Sequence, residues 1–292
     1  MRKRLIYLRF LLRITLRRRA RFRPEGRLEV HSLVDHRSVV LYLIAVTSLA
    51  RHLPSAAVTV HDDGTLTRVD RLLLRWRVPG IRIVARDEAD ALVERELAGF
   101  PHVLAARRDN VRLRQLVDYF VLASTGLVIG MDSDVVFLSR PDAVLEWAEQ
   151  PDGERASVMY SPETDPKGPH WLPDAVPGAP YVPDMCCGFV CAERGSFFDP
   201  RALESLLARV PRDIVDHRRF VTQMLYSLLA AREGQTAVSL GPLYRSGRLA
   251  WLPDEPRRVL CHYFASHRRD GALQNLVEER PLLSSVARAA TT

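Results

Sequence analysis

The sequence lacks a hydrophobic run long enough to cross a membrane. Its longest mostly apolar stretch, Val39 to Ala50, has twelve residues, whereas a membrane-spanning helix needs about 20. This stretch therefore predicts a buried helix. The N-terminus also lacks the uninterrupted apolar segment of a secretory signal, because basic residues recur through it.

Cysteine is scarce as well. The four cysteines include the adjacent Cys186 and Cys187 but no CxxC pair. We therefore expect a reducing, cytoplasmic compartment and no disulfide scaffold. Cys187, Cys191, Cys261 and His262 leave a zinc site open as an alternative to buried thiols.

Acidic residues are absent from the first 24 positions, which carry ten Lys and Arg. The rest of the chain holds 32 bases and 35 acids, so its net charge is −3. A mildly acidic body is a poor match for nucleic acid, and no nucleic-acid partner is expected. Binding of nucleic acid by the basic segment alone stays open, and steep salt dependence would reveal it.

Residues 1–26 are predicted to form a basic N-terminal arm. Read as a helix, the arm gathers apolar side chains on one side and arginines on another. The two sets are Leu5, Leu8 and Leu12 against Arg9, Arg13 and Arg17. Such a helix is typical of a segment that lies on an anionic membrane surface, here the inner face. A solvated basic tail is the alternative.

From Leu28 onward, short β-branched runs alternate with helical patterns. This alternation predicts an α/β fold with a mostly parallel central sheet and flanking helices. The predicted strands are Leu28–Val34, Ala57–His61, Ile81–Ala85, Leu127–Met131, Ser157–Tyr160 and Gly188–Ala192. The predicted helices are Arg37–Arg51, Glu88–Ala98, Asp109–Ala123, Pro141–Glu149, Pro200–Ala208 and Arg218–Arg232. We expect one domain over 27–270 and a tail over 271–292, with a proline-rich loop from Ser161 to Pro183.

An acidic pair follows the apolar strand that ends at Met131. Asp132 and Asp134 are separated by Ser133, and apolar sequence resumes directly after them. Alternating side chains point the same way, so both carboxylates can share one hard cation, Mn²⁺ or Mg²⁺. Ligands of open α/β folds bind at this end of the strands. A divalent ion there would neutralise a diphosphate leaving group, whereas a simple capping turn is the alternative.

The ordered motifs of the chain resemble those of the GT-A nucleotide-sugar transferases, most closely glycosyltransferase family 8. They are VTVHDDG, RLRQLVDYF, GLVIGMDSDVVFL, DMCCGFVCAERGSF and RRVLCHYFASHRRDG, and the resemblance extends from Leu28 to Arg268. It implies a GT-A fold and a hexosyltransferase activity with retention of configuration. The implied donor is a nucleotide sugar, with UDP favoured, and the implied acceptor is a glycan or a lipid-linked molecule.

The resemblance also implies the residues around the diphosphate. His262 would be the third metal ligand beside Asp132 and Asp134, and Arg268 would bind phosphate. Gln223 would lie beside the reacting carbon, and its helix is predicted to leave it off the buried face.

Further residues would shape the donor pocket by the same resemblance. Asp62 or Asp63 would lie near the nucleoside, and Arg114 and Asp118 would flank the donor, although their spacing also fits a surface ion pair. At Gly188 a side chain would collide with the donor sugar. Ser133 belongs to the same binding set.

Two other functions remain open from the sequence. A strand ending in DxD also opens phosphatases of the haloacid dehalogenase type, with Asp132 as nucleophile and Asp134 as acid. That chemistry needs a downstream lysine and a second acidic pair, but the only lysines are Lys3 and Lys167. The second alternative is an inactive nucleotide-sugar-binding protein. It rests on Cys186, Cys187 and Thr222, which stand where the family that the chain resembles has Asn, Ser and an acid.

Overall fold

A computed structural model of the protein describes residues 19–24, 26–163, 175–216, 220–246 and 258–262. The strands are β1 (Leu28–Val34), β2 (Ala57–Asp62), β3 (Arg82–Val84), β4 (Leu127–Met131), β5 (Val135–Phe137), β6 (Val158–Pro162), β7 (Met185–Glu193), β8 (Ala237–Ser239), β9 (Tyr244–Ser246) and β10 (Leu260–His262). The helices are α1 (Val39–Leu49), α2 (Arg68–Arg77), α3 (Arg86–Glu96), α4 (Pro101–Asp109), α5 (Arg114–Val121), α6 (Asp142–Glu149), α7 (Arg194–Phe197), α8 (Pro200–Arg209), α9 (Arg212–Asp216) and α10 (Val221–Ala230).

Several sequence predictions fall outside the described residues. They concern most of the N-terminal arm, Arg268, the tail over 271–292 and the part of the proline-rich loop over 164–174. Among the helices that are described, none is long and apolar enough to span a bilayer.

The central sheet has seven strands in the order β3-β2-β1-β4-β7-β6-β8. Four of its pairings are parallel, and β7 runs antiparallel to both β4 and β6. The predicted mostly parallel sheet is therefore confirmed. A second sheet, β5-β10-β9, has β10 antiparallel to β5, and it brings a distant part of the chain beside the residues that follow β4.

Helices cover both faces of the sheet. Every residue of β4 is buried. Val128 packs in the cluster that includes α3, α5 and α10, whereas its neighbour Ile129 packs in the cluster that includes α1. Because successive strand residues point to opposite faces, burial of β4 on both faces favours apolar residues at every position, which explains its continuous apolar sequence.

The predicted helix from Asp109 to Ala123 is wrong at its N-terminal end. Asn110 has an extended backbone, and its side chain accepts a hydrogen bond from the backbone N–H of Arg112. This cap starts a 3-10 turn over Val111–Leu113, so α5 begins only at Arg114. Helices α2 and α4 and the small sheet were not predicted.

A buried polar chain crosses β1 and β2 beneath α5. The Nε2 atom of His31 lies 3.3 Å from Glu29 Oε1, and its Nδ1 lies 2.8 Å from His61 Nε2. Burial raises the pKa of Glu29, but hydrogen bonds from His31, Ser124 and Thr59 outweigh it and lower the pKa to about 2. Burial lowers the pKa of His31, and it lowers that of His61 far below the ordinary value. Both rings are therefore neutral in the folded protein.

The buried network of Glu29, His31 and His61 predicts that the protein loses stability in mild acid. Below pH about 6.5 the unfolded histidines take up protons that the folded protein cannot. The free energy of unfolding should then fall as pH falls, by up to about 1.4 kcal/mol per pH unit for each histidine. Urea unfolding at a series of values from about pH 7.5 to about pH 5.5 measures this slope. His61→Gln should flatten the slope and exposed His102→Gln should not; equal slopes in all three proteins would contradict the assignment.

Candidate active site

The acidic pair lies where β4 leaves the sheet. The N–H of Asp132 donates to the carbonyl of Gly188 on β7 at 2.8 Å, and the N–H of Val135 donates to the carbonyl of Asp132 at 3.2 Å. These bonds close a turn over Asp132, Ser133 and Asp134 before β5 begins. Because β1, β2 and β4 are parallel, the turn lies at the edge where all three of these strands end.

His262 reaches this turn through the small sheet. Antiparallel pairing places His262 of β10 opposite Val135 of β5, directly after Asp134. Its Nε2 lies 3.3 Å from Asp132 Oδ2 and 3.3 Å from Asp134 Oδ1. The predicted trio is thus brought together, and one atom of each residue lies within 4.8 Å of the others. Asp134 and His262 are buried, whereas the Asp132 side chain is 19% exposed.

The donor set fits a divalent cation. Two carboxylate oxygens suit Mg²⁺ and Mn²⁺, and an imidazole nitrogen shifts the preference towards transition metals such as Mn²⁺. Burial lowers the pKa of His262, but the charge of Asp134 and hydrogen bonds to both carboxylates raise it well above its ordinary value. Two carboxylates this close to one imidazole require a positive charge between them, which either a proton or a cation supplies.

Gly188 makes room for the imidazole. A Cβ atom at this position would lie 2.1 Å from Cε1 and 2.3 Å from Nδ1 of His262. The sequence-based expectation was a collision with the donor sugar. Among the described residues, the group that a side chain here would meet is the His262 ring, so this glycine is a condition for the three-residue cluster. The collision with a donor sugar stays a prediction.

Gln115 was missed by sequence analysis. It lies on α5, between the Arg114 and Asp118 that the resemblance singled out, and its amide nitrogen donates to Asp132 Oδ1 at 2.6 Å. Its backbone carbonyl accepts from the hydroxyl of Tyr226 at 2.9 Å. Gln115 therefore holds one oxygen of the Asp132 carboxylate, whereas His262 lies beside the other. A polar residue on a mostly buried helix was the available signal.

We predict that Gln115→Leu weakens Mn²⁺ binding about 10- to 100-fold, the usual cost of losing a partner that orients a metal ligand. Calorimetric titration of Mn²⁺ measures the change. The exposed Gln150→Leu is the control. Unchanged affinity in a folded Gln115→Leu protein would show that this hydrogen bond does not orient Asp132.

Arg114 and Asp118 form part of a buried ionic cluster, which corrects the surface-pair alternative. Arg114 lies 2.9 Å from Asp90 and 4.0 Å from Asp118, and Arg107 binds both of these acids. The cluster joins α3, α4 and α5. Burial raises the pKa of Asp118 even though Arg107 lowers it. The ionic contacts described for Arg114 and Asp118 are thus with other members of this cluster.

The predicted nucleoside residues lie at the end of β2. Asp62 is buried, and its Oδ1 accepts from the N–H groups of Gly64 and Leu66 at 2.7 and 3.1 Å. The carboxylate of Asp63 accepts from the N–H of Thr65 at 2.9 Å. Both aspartates shape the turn that leads into α2, at the same sheet edge as Asp132.

Gln223 is buried, as is every other residue of α10. The prediction that it lies off the buried face is therefore wrong, because this helix is enclosed on all sides. Its amide nitrogen lies 3.1 Å from Glu163 Oε2, directly after β6. Sequence analysis did not select Glu163, which lies 60 positions away in the chain.

None of the four cysteines forms a disulfide in the described structure. Cys186 Sγ lies 3.5 Å from Nδ1 of His262, on the side of the ring away from the carboxylates. Cys191 and Cys261 are buried, and the three-residue group found among the described His, Cys, Asp and Glu side chains contains no cysteine. The described residues thus favour the oxygen-rich site over the zinc alternative.

Comparison with solved structures identifies the fold. The chain matches mouse xyloside xylosyltransferase 1 in its apo form with a TM-score of 0.52 and 12% identity, over 82% of this chain and 97% of that one. It matches the galactosyltransferase LgtC, in complex with donor and acceptor sugar analogues, with a TM-score of 0.54 and 16% identity, over 88% and 95%. The sequence matches no protein-family model and no curated protein. The chain therefore has the GT-A fold, as its motifs indicated.

Proposed function

We propose that the protein is a metal-dependent glycosyltransferase that moves a sugar from a nucleotide diphosphate to an acceptor hydroxyl. The observation that carries the proposal is the convergence of Asp132, Asp134 and His262 at the carboxyl edge of β4, within a GT-A fold. Open α/β folds bind their substrates at the carboxyl ends of the sheet strands, which is where these three side chains cluster.

Asp132, Asp134 and His262 would hold Mn²⁺ or Mg²⁺. When bound, the cation supplies Lewis-acid stabilisation of the diphosphate as it leaves. The chain contributes rigidity: Gln115 fixes Asp132, and β5 and β10 fix the other two ligands. Arg268, outside the described residues, is proposed as a bidentate partner of the phosphates.

Gln223 is the residue that we place beside the reacting carbon. A carboxylate only accepts hydrogen bonds, so Glu163 selects the amide nitrogen of Gln223 and turns its carbonyl oxygen away. Since Thr222 replaces the acid of the family that the chain resembles, Glu163 is the acidic neighbour that Gln223 has here. We propose that Glu163 positions this amide, and that transfer retains configuration.

A UDP-sugar is the donor we favour, with Asp62, Asp63, Arg114, Asp118, Ser133 and Gly188 around it. The basic arm favours a glycan acceptor linked to a membrane, reached from the cytoplasmic side.

The test is turnover of UDP- and GDP-sugars by the purified full chain, followed as release of free nucleotide with and without Mn²⁺. We expect slow Mn²⁺-dependent hydrolysis with one donor even without an acceptor, and its loss in Asp134→Ala. Hydrolysis of p-nitrophenyl phosphate without any nucleotide turnover would favour the phosphatase alternative. Nucleotide binding without turnover of any donor or acceptor would favour the inactive one.

A further inference from the structure

Helix α2 exposes three of its apolar side chains. Val69 is 72% exposed, Leu72 is 66% exposed and Trp76 is 45% exposed. At about 100° per residue, positions three and four apart share one side of a helix, so the three side chains form one stripe. Half of the six large exposed hydrophobic residues in the described part of the chain belong to this single stripe.

The buried face of the same helix is largely polar. Asp70 is 8% exposed and Arg77 is 2% exposed, beside the buried Leu74. Polar contacts hold the helix in place: Asp70 and Thr67 form a reciprocal cap, and Arg71 pairs with Asp62. This reverses the usual arrangement of a surface helix, which turns its apolar stripe inward. A polar inner face and an apolar outer face suit a helix whose outer side meets an apolar phase.

Arginines border the stripe. Arg68 and Arg75 are exposed on α2, whereas its one carboxylate, Asp70, faces inward. The chain before β1 passes the end of the helix, where the N–H of Ala20 donates to the carbonyl of Arg77 at 2.9 Å. The guanidinium of Arg19 lies 5.7 Å from the ring centre of Trp76. We name Val69, Leu72, Trp76, Arg68, Arg75 and Arg19 the α2 patch.

The α2 patch is continuous with the basic arm. Residues 1–18, which directly precede Arg19, contain seven Lys and Arg and no acid. Their structure lies outside the described residues, but they join the body of the protein at the C-terminal end of α2. The described end of the basic arm, at Arg19 and Ala20, therefore lies beside the apolar stripe of α2.

We infer that the α2 patch is an interfacial docking surface for an anionic lipid bilayer. Val69, Leu72 and Trp76 enter the boundary between headgroups and acyl chains, and the arginines bind lipid phosphates. Trp76 suits this depth, since tryptophan is enriched at membrane interfaces. The inference does not depend on the sugar-transfer activity.

Charge decides between a bilayer and other occupants. If the arm folded over α2, its basic residues would meet Arg68 and Arg75, and like charges would face each other. A second copy of the chain, paired through the same patch, would again bring arginines against arginines. An anionic bilayer offers the opposite charge together with an apolar layer that can accept the stripe.

The test is co-flotation of the full chain with phosphatidylcholine vesicles, with and without phosphatidylglycerol. The variant Val69→Ser/Leu72→Gln/Trp76→Gln removes the stripe and leaves the arm intact. Val111→Ser/Val238→Ser removes two exposed apolar side chains that lie elsewhere. We expect wild type and control to float with the anionic vesicles, and the stripe variant to bind at least ~10-fold more weakly.

A second measurement reads the patch directly. Vesicles that contain brominated lipid should quench the tryptophan emission of the wild type more than that of Trp76→Phe. The variant Arg68→Gln/Arg75→Gln should need a larger fraction of anionic lipid for the same binding. The inference is overturned if the stripe variant floats as well as wild type, or if wild type does not float. It is also overturned if the stripe variant changes the oligomeric state in solution instead of lipid binding.

Discussion

Asp134→Asn should reduce metal-dependent turnover by more than ~100-fold. Loss of a residue that merely orients a metal ligand costs about 10- to 100-fold, and Asp134 is itself a buried ligand candidate, 3.3 Å from His262. The substitution removes the charge but keeps the shape, so the loss should appear as weaker Mn²⁺ binding with little change in melting temperature. Mn²⁺ titration and donor hydrolysis measure the two parts.

The matched control for this experiment is Asp87→Asn. Asp87 is exposed on α3, and its replacement changes the net charge by the same amount. Wild-type Mn²⁺ affinity in Asp87→Asn together with its loss in Asp134→Asn would locate the effect at the cluster. Equal turnover in wild type and Asp134→Asn would remove this carboxylate from the mechanism.

Gly188→Ala should damage the site nearly as much, although it adds only one methyl group. That methyl would lie 2.1 Å from an atom of the His262 ring, so the ring must swing away from Asp132 and Asp134. The expected result is Mn²⁺ affinity as low as that of His262→Ala. The two variants should share this loss because they remove the same ligand by different routes.

Gly195→Ala provides the comparison, since a Cβ there would meet nothing within 4 Å. It should bind Mn²⁺ like wild type. If Gly188→Ala keeps full affinity, the imidazole does not need the space that the glycine leaves. If it fails to fold, soluble His262→Ala still tests whether the imidazole is a ligand.

Strand β4 could be predicted because it is buried on both faces. The predicted bounds of β1 and β4 match the structure. In β4, burial on both faces favours an unbroken apolar run that polar residues end abruptly. The pair of carboxylates could be predicted at the end of β4 because polar residues interrupt the apolar sequence there. Helix α2 could not be predicted from an inward-facing stripe, because Val69, Leu72 and Trp76 face outward.

The contacts around the acidic pair depend on long-range packing. Gln115 reaches Asp132 because α5 lies against β4, and Gln223 meets Glu163 because α10 packs against β7. The partners of each pair are 17 and 60 positions apart, which matches no local helix or strand period. His262 was expected by resemblance, and the physical reason became visible only with the pairing of β5 and β10.

The most direct test of the central claim is isothermal titration of UDP and of GDP into the full chain, with and without Mn²⁺, for wild type and Asp134→Ala. The account predicts that one nucleotide binds to wild type only when Mn²⁺ is present, and that Asp134→Ala loses this binding while it remains folded. Nucleotide binding that is equally tight without metal, or absent from folded wild type in every condition, would contradict a metal-bridged diphosphate at Asp132, Asp134 and His262.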